Sequence, residues 1–356
     1  MKGREKMNGE FLVPTGSVIK EYLETNSISQ KELSERINVS EKHISNVLNG
    51  KSRITEEFAI KLEKVLVEVP ASYWLNYETK YREFLAREEE LVRVNKWDLK
   101  AISKRFKFNE VFKGLNLSLT EQAIEMLKLL KISDFKNFET VYGSLQADFM
   151  EDGGEDEAIA IWLNLCEEEI EIQNEVLDDV QYNGKQLKGS IEKFKMLSNN
   201  NATELSIRSC RKLCNKLGIY LVICEAISNS RVRGALTTYK GHPAIYLSGR
   251  FKTHAHIWFA FMHELGHLIM HYSKKDIILS FEDDIDKLNE REEEANAFAS
   301  NVFINQDNYE KFIAIGEYNV ASIRNFAKQE DTLPEIVVAR LQHDREIAFN
   351  QFVHLK

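Results

Sequence analysis

The feature that most constrains this chain is His263-Glu-Leu-Gly-His267, set inside one apolar segment. On a helix the two histidines stand one turn apart, so both Nε2 atoms can reach a single metal ion. Ile257, Trp258, Phe261, Met262, Leu265 and Ile269 make the rest of that helix apolar, which predicts burial on nearly every side. Buried imidazoles and a carboxylate need partners, and a metal supplies them. Glu264, next to His263, is placed to contact a metal-bound water rather than the metal. His254 and His256 precede the predicted helix and read as ordinary polar residues. His271 follows His267 by four on the same face and reads as a supporting or core residue rather than a ligand.

A catalytic zinc site takes three protein ligands and one open position. The third ligand is expected from Glu292-Glu-Glu-Ala295-Asn-Ala-Phe-Ala299. Ala295, Ala299 and Val302 mark the inward face of that helix, with Phe298 beside them. Stepping back three from Ala295 and seven from Ala299 lands on Glu292. Glu293 projects away, and Glu294, between the two, is the fallback. Asn296, one turn beyond Glu292, is expected to orient its carboxylate. Arg340 and His343, on a late helix, are weighed as oxyanion stabilisers against a plain structural role.

The surroundings predict an α+β protein, mainly helical with a small sheet. Only 4 Pro and 16 Gly in 356 residues favour long helices. Ile219–Cys224, Pro243–Leu247 and Arg231–Thr238 read as short strands. The run Glu151–Glu157 is an acidic loop that starts the helix carrying Trp162. Three blocks follow: a helical domain over 11–90, a helical connector over 91–199 and a mixed domain over 200–356. Cys166, Cys210, Cys214 and Cys224 contain no CxxC pair, which argues against a cysteine zinc site or a disulfide framework. No long apolar run and no apolar stretch in Met1–Glu10 mark a membrane span or leader, so a cytoplasmic protein is expected.

The first block reads as a helix-turn-helix. Ser29 caps a short helix ending at Ile37, with Glu32 three later as a capping box, and Asn38 suits a left-handed stop. Ser40 caps a second helix, Glu41 to Leu48, whose Ile44, Val47 and Leu48 face inward. Its other positions, Glu41, Lys42, His43, Ser45, Asn46 and Asn49, are polar. Lys51 and Arg53 follow as phosphate contacts. The whole chain carries net charge −9, but residues 1–87 hold 14 Lys and Arg against 13 Asp and Glu. General nucleic-acid affinity is therefore excluded, and any DNA binding must be local and helped by dimerisation.

Residues 14–85 resemble the Xre/HigA class of helix-turn-helix regulators. The resemblance is carried by Gly16, Gln30, Leu33, the Ile44-Ser-x-x-Leu48-Asn-Gly50 run, Ile54-Thr55, Ala59 and Tyr73-Trp74-Leu75. It implies Gln30 and Asn49 near the DNA backbone and Glu41, Lys42 and Asn46 toward base edges, with Ser45 on the same surface. The C-terminal block resembles the ImmA/IrrE metallopeptidases through Arg231–Ala235, Ala244–Ser248, Arg250, Ile257–His271, Glu292–Ala299 and Pro334–His343. That resemblance implies a zincin-like domain in which His263, His267 and Glu292 hold Zn2+ and Glu264 acts as the base. His271 and Asn296 stand behind the ligands, and Asn296 occupies a position where related fused members commonly carry Asp.

Together these point to a homodimeric regulator that reads a pseudo-palindromic operator and cuts a repressor or toxin-type protein by zinc-dependent hydrolysis. The competing reading is an antitoxin or regulator whose metal site is sensory or silent. The retained Glu264 favours the enzyme, since a purely structural zinc site has no use for it.

Overall fold

The computed structural model describes residues 12–149, 154–250, 253–274, 277–281 and 290–355, with backbone only over 144–149. The expected acidic loop at 151–157 therefore lies partly outside the described residues, and Met1–Glu10 wholly so. The chain divides into two compact units between Leu99 and Lys100.

The first unit contains α1 (Thr15–Thr25), α2 (Gln30–Ile37), α3 (Glu41–Leu48), α4 (Glu56–Glu63) and α5 (Ala71–Val94). Ser29, Ser40 and Thr55 cap α2, α3 and α4, each accepting from the backbone N–H three residues on. Asn38 is left-handed, φ 52°, and ends α2 as its sequence suggests. The Glu32 carboxylate turns to Arg36 one turn on (2.5 Å) and not back to Ser29, so the cap is one-sided. Ile19, Leu33, Ile44, Val47, Leu48, Phe58, Leu62 and Trp74 close a single core.

The second unit begins with short helices: α6 (Leu99–Arg105), α7 (Phe108–Val111), α8 (Leu119–Leu129) and α9 (Phe138–Phe149). Then come α10 (Asp156–Gln173), α11 (Gly184–Lys188), α12 (Ile191–Ser198) and α13 (Thr203–Lys216). The sheet and its helices follow as β1 (Tyr220–Cys224), β2 (Val232–Tyr239), β3 (His242–Ser248), α14 (His254–Met270), β4 (Ile278–Phe281) and α15 (Glu290–Phe303). α16 (Gln306–Ile315), α17 (Val320–Gln329) and α18 (Pro334–His343) complete the unit. Among the described residues no helix is long and apolar enough to cross a membrane. Cys166, Cys210 and Cys214 are buried free thiols and Cys224 is half-buried.

The sheet runs β1-β3-β2-β4, with β1 parallel to β3 and the other pairs antiparallel. α10 packs on β1, while α14 packs on β2 and β3. The helical middle of the chain and the sheet therefore belong to one unit. β4 is an edge strand absent from the sequence reading. Its register against β2 slips between Val232 and Gly234, leaving Arg233 as an extra residue opposite the Ser280–Phe281 step. Such a bulge re-aims side chains.

α14 is longer than its apolar run. Thr253 caps it, so His254 and His256 lie inside the helix and not before it. His254 is buried against the Ser198 carbonyl (2.7 Å) and the Thr203 hydroxyl (3.0 Å). α15 lies against α14 where Gly266 faces Ala295. A β-carbon on Gly266 would stand 3.1 Å from the Phe298 ring and 3.2 Å from Ala295 Cα, so the bare glycine sets how closely the two helices approach.

Candidate metal centre and nucleic-acid surface

That approach brings Glu292, at the start of α15, onto the two histidines of α14. Glu292 Oε2 lies 3.1 Å from His263 Nε2, and Oε1 lies 2.9 Å from His267 Nε2. The two Nε2 atoms are 3.0 Å apart. All three side chains are buried or nearly so. Among the described residues they are the one cluster whose donor atoms gather within the spacing of a metal site.

The surroundings set which nitrogen each histidine turns to Glu292. His263 Nδ1 donates to the Asn296 carboxamide oxygen at 2.9 Å, so Nε2 is the nitrogen turned to Glu292 and the one that a metal ion would take. His271 Nε2 donates to Glu294 at 2.8 Å. Nδ1 of His271 lies 3.1 Å from His267 Nδ1, so Nε2 is likewise the nitrogen that His267 turns to Glu292 and would give to a metal ion on losing its proton. Asn296 thus holds His263 and not the Glu292 carboxylate, because that carboxylate extends past it to the Nε2 atoms. Glu294 supports His271 and does not reach the cluster, and Glu293 is exposed.

Glu264 lies beneath this group at 1% exposure. Its Oε1 accepts from Ser280 of β4 at 2.8 Å, and Ser280 Oγ is also 3.2 Å from His263 Nε2. Oε2 is buried with no hydrogen-bond partner. Burial pushes the Glu264 carboxyl up from its ordinary value, against the lowering by His263, His267 and the Ser280 hydroxyl. Burial also pushes Glu292 up, but hydrogen bonds and charge from both histidines win and hold it at about 2. His267 is pushed down by burial and raised overall, chiefly by its hydrogen bond to Glu292.

These residues fit a zinc ion. Two imidazole Nε2 atoms and a carboxylate converge on one point, the His2Glu donor set of catalytic zinc sites. A neighbouring carboxylate keeps one oxygen without a partner in a site where every other polar atom named has one.

Arg340 and His343 are elsewhere. Arg340 donates to the Ser300 and Ile304 carbonyls (3.4 and 3.1 Å) at the end of α15 and stacks over Tyr309. His343 pairs with Asp344 at 2.9 Å. Ser280 and Gly234 were missed by the sequence reading. The Ile277-Ile-Leu-Ser-Phe281 run carried a strand signal for the first, but nothing local marks the second.

On the first unit, Glu41 and Lys42 are exposed at the start of α3, Ser45 and Asn46 are half-buried, and Gln30, Asn49, Lys51 and Arg53 are exposed. His43 is half-buried and edge-on to Phe58, 6.0 Å between centroids. Asn49 donates to Ser45 (3.2 Å) and accepts from Lys20 of α1 (2.9 Å). Lys20 adds a cation beside α3 that no spacing rule could find across 29 residues.

Comparison with known proteins agrees with both halves. A helix-turn-helix family model matches residues 19–74, and the IrrE N-terminal-like domain matches residues 214–341. An uncharacterised HTH-type transcriptional regulator of Haemophilus influenzae is 36% identical over 86 residues, 24% of this chain and 66% of the relative. Virulence-associated protein A of Dichelobacter nodosus is 33% identical over 60 residues, 17% of this chain and 59% of its own. The chain thus spans about three-fifths to two-thirds of the length of these relatives. A solved structure described as an antidote protein of a plasmid maintenance system from Nostoc punctiforme is 29% identical. It covers 24% of this chain and 97% of its own, with a TM-score of 0.22. The chain joins an Xre-type helix-turn-helix, a module of DNA-binding transcription regulators, to an IrrE/ImmA-like peptidase-family domain.

Proposed function

We propose that this chain is a DNA-binding regulator that hydrolyses a peptide bond in a regulatory protein, using zinc held by His263, His267 and Glu292. The observation that carries the reading is the unpartnered, buried Oε2 of Glu264 beside three convergent metal donors. When bound, zinc supplies Lewis acidity toward a carbonyl and lowers the pKa of a bound water.

The chain's own residues do the rest. Asn296 and the His271–Glu294 pair fix which nitrogen each ligand histidine presents. Ser280 holds Oε1 of Glu264, so Oε2 is the oxygen available to take a proton from the attacking water and return it to the leaving amine. Burial, which raises the Glu264 carboxyl, brings it nearer the pH at which it must both accept and release that proton.

In this reading residues 11–90 bind a pseudo-palindromic operator as a homodimer, and 200–356 carry the peptidase, with the helices of 100–199 part of the same unit as its sheet rather than a separate connector. Gln30, Glu41, Lys42, Ser45, Asn46, Asn49, Lys51 and Arg53 form the DNA-facing surface. The substrate class is a repressor or a toxin/antitoxin-type protein. The test is incubation of the zinc-loaded protein with the regulatory proteins encoded beside it, with and without chelator, followed by mass spectrometry. A discrete cut that chelator abolishes supports the reading. Intact proteins under both conditions, with zinc bound, would leave a regulator that acts by binding alone.

A further inference from the structure

We propose that Cys166 of α10 and Cys224 of β1 are a redox pair, which closes a reversible disulfide when a hydroperoxide reaches it. The inference is independent of the peptidase reading, because it uses neither the zinc donors nor Glu264.

Strand geometry brings the two thiols together. β1 pairs with β3 so that Val222 stands beside Tyr246 and Cys224 beside Ser248. Alternate residues of a strand share a face. Leu221, Ile245 and Leu247 join the core that holds Trp258 and Phe261 of α14. Val222, Cys224 and Tyr246 therefore turn to the opposite face, where α10 packs. There the Tyr246 ring stands edge-on to Trp162 of α10, 6.4 Å between centroids. Cys166 follows Trp162 by one helical turn on the same side of α10. Its thiol shares a hydrogen bond with that of Cys224.

The two thiols differ in access. Cys224 is half-buried at the end of β1, whereas Cys166 is fully buried. Burial, and then the neighbouring Cys224, push the Cys166 thiol well above its ordinary range. Cys224 is therefore the one that meets the peroxide. Its Sγ takes one peroxide oxygen as the O–O bond breaks, and the thiol proton leaves with the other oxygen as an alcohol or water. Cys166 Sγ then attacks Cys224 Sγ, the S–O bond breaks, and the Cys166 proton leaves with that oxygen as water. The two electrons given up by the sulfurs reduce one peroxide, and an added thiol reverses the bond by exchange.

Cys210 and Cys214 make the contrast. One turn apart on α13, they hold their β-carbons about 5–6 Å apart, beyond the about 3.5–4.5 Å that a disulfide spans. Both are also fully buried. The Cys166–Cys224 bond instead joins two elements distant in the chain and closes a long loop, so it staples α10 to the sheet.

The test treats the folded full chain with a slight excess of hydrogen peroxide, quenches with catalase and unfolds the chain in the presence of a maleimide. The digest is then mapped by mass spectrometry without reductant. One cross-link is expected, between the peptides of Cys166 and Cys224, lost when dithiothreitol is added before the maleimide. Cys210 and Cys214 should be recovered as maleimide adducts. The oxidised chain should melt about 5 °C or more above the reduced one. Cys166→Ser should stop the reaction at a Cys224 sulfenic acid that dimedone traps, and Cys166→Ala gives the same readout should serine be poorly tolerated at that buried place. No cross-link in the wild type, a cross-link through Cys210 or Cys214, Cys224 driven to the sulfinic acid with Cys166 still a thiol, or an oxidised chain that melts no higher would each overturn the inference.

Discussion

Gly234 of β2 backs directly onto Glu264 of α14, so closely that a β-carbon at 234 would fall on the carboxylate oxygen Oε1. The glycine is opposite Ser280 in the β2–β4 register, and Ser280 holds that same oxygen. One strand position therefore makes room for the proposed base while the next strand orients it.

Gly234→Ala should displace the Glu264 carboxylate without touching the zinc donors. Cleavage is expected to fall by about 100-fold, the usual scale for a lost general base, with zinc content unchanged. Metal analysis beside an activity assay checks this; unchanged cleavage would show that the carboxylate does not act from this position.

Glu264→Gln should keep zinc, fold and DNA binding and lose cleavage by at least about 100-fold. The amide retains the shape of the carboxylate and its contact with Ser280 but cannot take the proton. A biological output such as derepression that survives the substitution would require withdrawal of the peptidase reading.

Purified protein is expected to hold about one zinc per chain, as a three-donor site predicts. His263→Ala or Glu292→Ala should remove most of it, and Glu293→Ala, on the exposed side, should not. His271→Ala should weaken zinc by roughly 10- to 100-fold, since it frees the His267 tautomer. Full zinc content in the Glu292 variant would sink the ligand assignment.

The zinc-free and zinc-loaded proteins should respond oppositely to pH. His267 titrates above its ordinary 6.5 through its hydrogen bond to Glu292, so its contribution is full below 6.5 and fades as pH rises through the raised value. Glu292, at about 2 against an ordinary 4.5, contributes above 4.5 and is lost as pH falls toward 2. The zinc-free protein should therefore gain most from this pair between about 4.5 and 6.5. Zinc needs unprotonated ligands, so its stabilisation should grow with pH. Melting curves from pH 5.5 to 8 should show the gap between the two forms widening; a constant gap would contradict the proton competition.

For DNA, the near-neutral first block predicts few phosphate contacts and a shallow salt dependence. Replacing Lys42 and Asn46 with Ala should relax sequence preference, while replacing Lys51 and Arg53 should weaken binding to all sequences alike. Lys20→Ala should resemble the second pair, because Lys20 sits beside Asn49 at the end of α3. Absence of binding to any fragment of its own locus at low salt would remove the regulator reading.

Local sequence carried much of this protein. Ser29, Ser40 and Asn38 determine where α2 and α3 begin and stop, because caps and left-handed stops act on the adjacent backbone alone. His263 and His267 share a face by helical period, and counting back from Ala295 and Ala299 reaches Glu292, because both rules depend only on spacing along one helix. What spacing cannot carry is contact between elements distant in the chain. The approach of α15 to α14 at Gly266, the pairing of Asn296 with His263, and the packing of α10 against the sheet are such contacts. So is the place of Ser280 and Gly234 around Glu264. Each brings together residues tens of positions apart, and packing in three dimensions decides which of them meet.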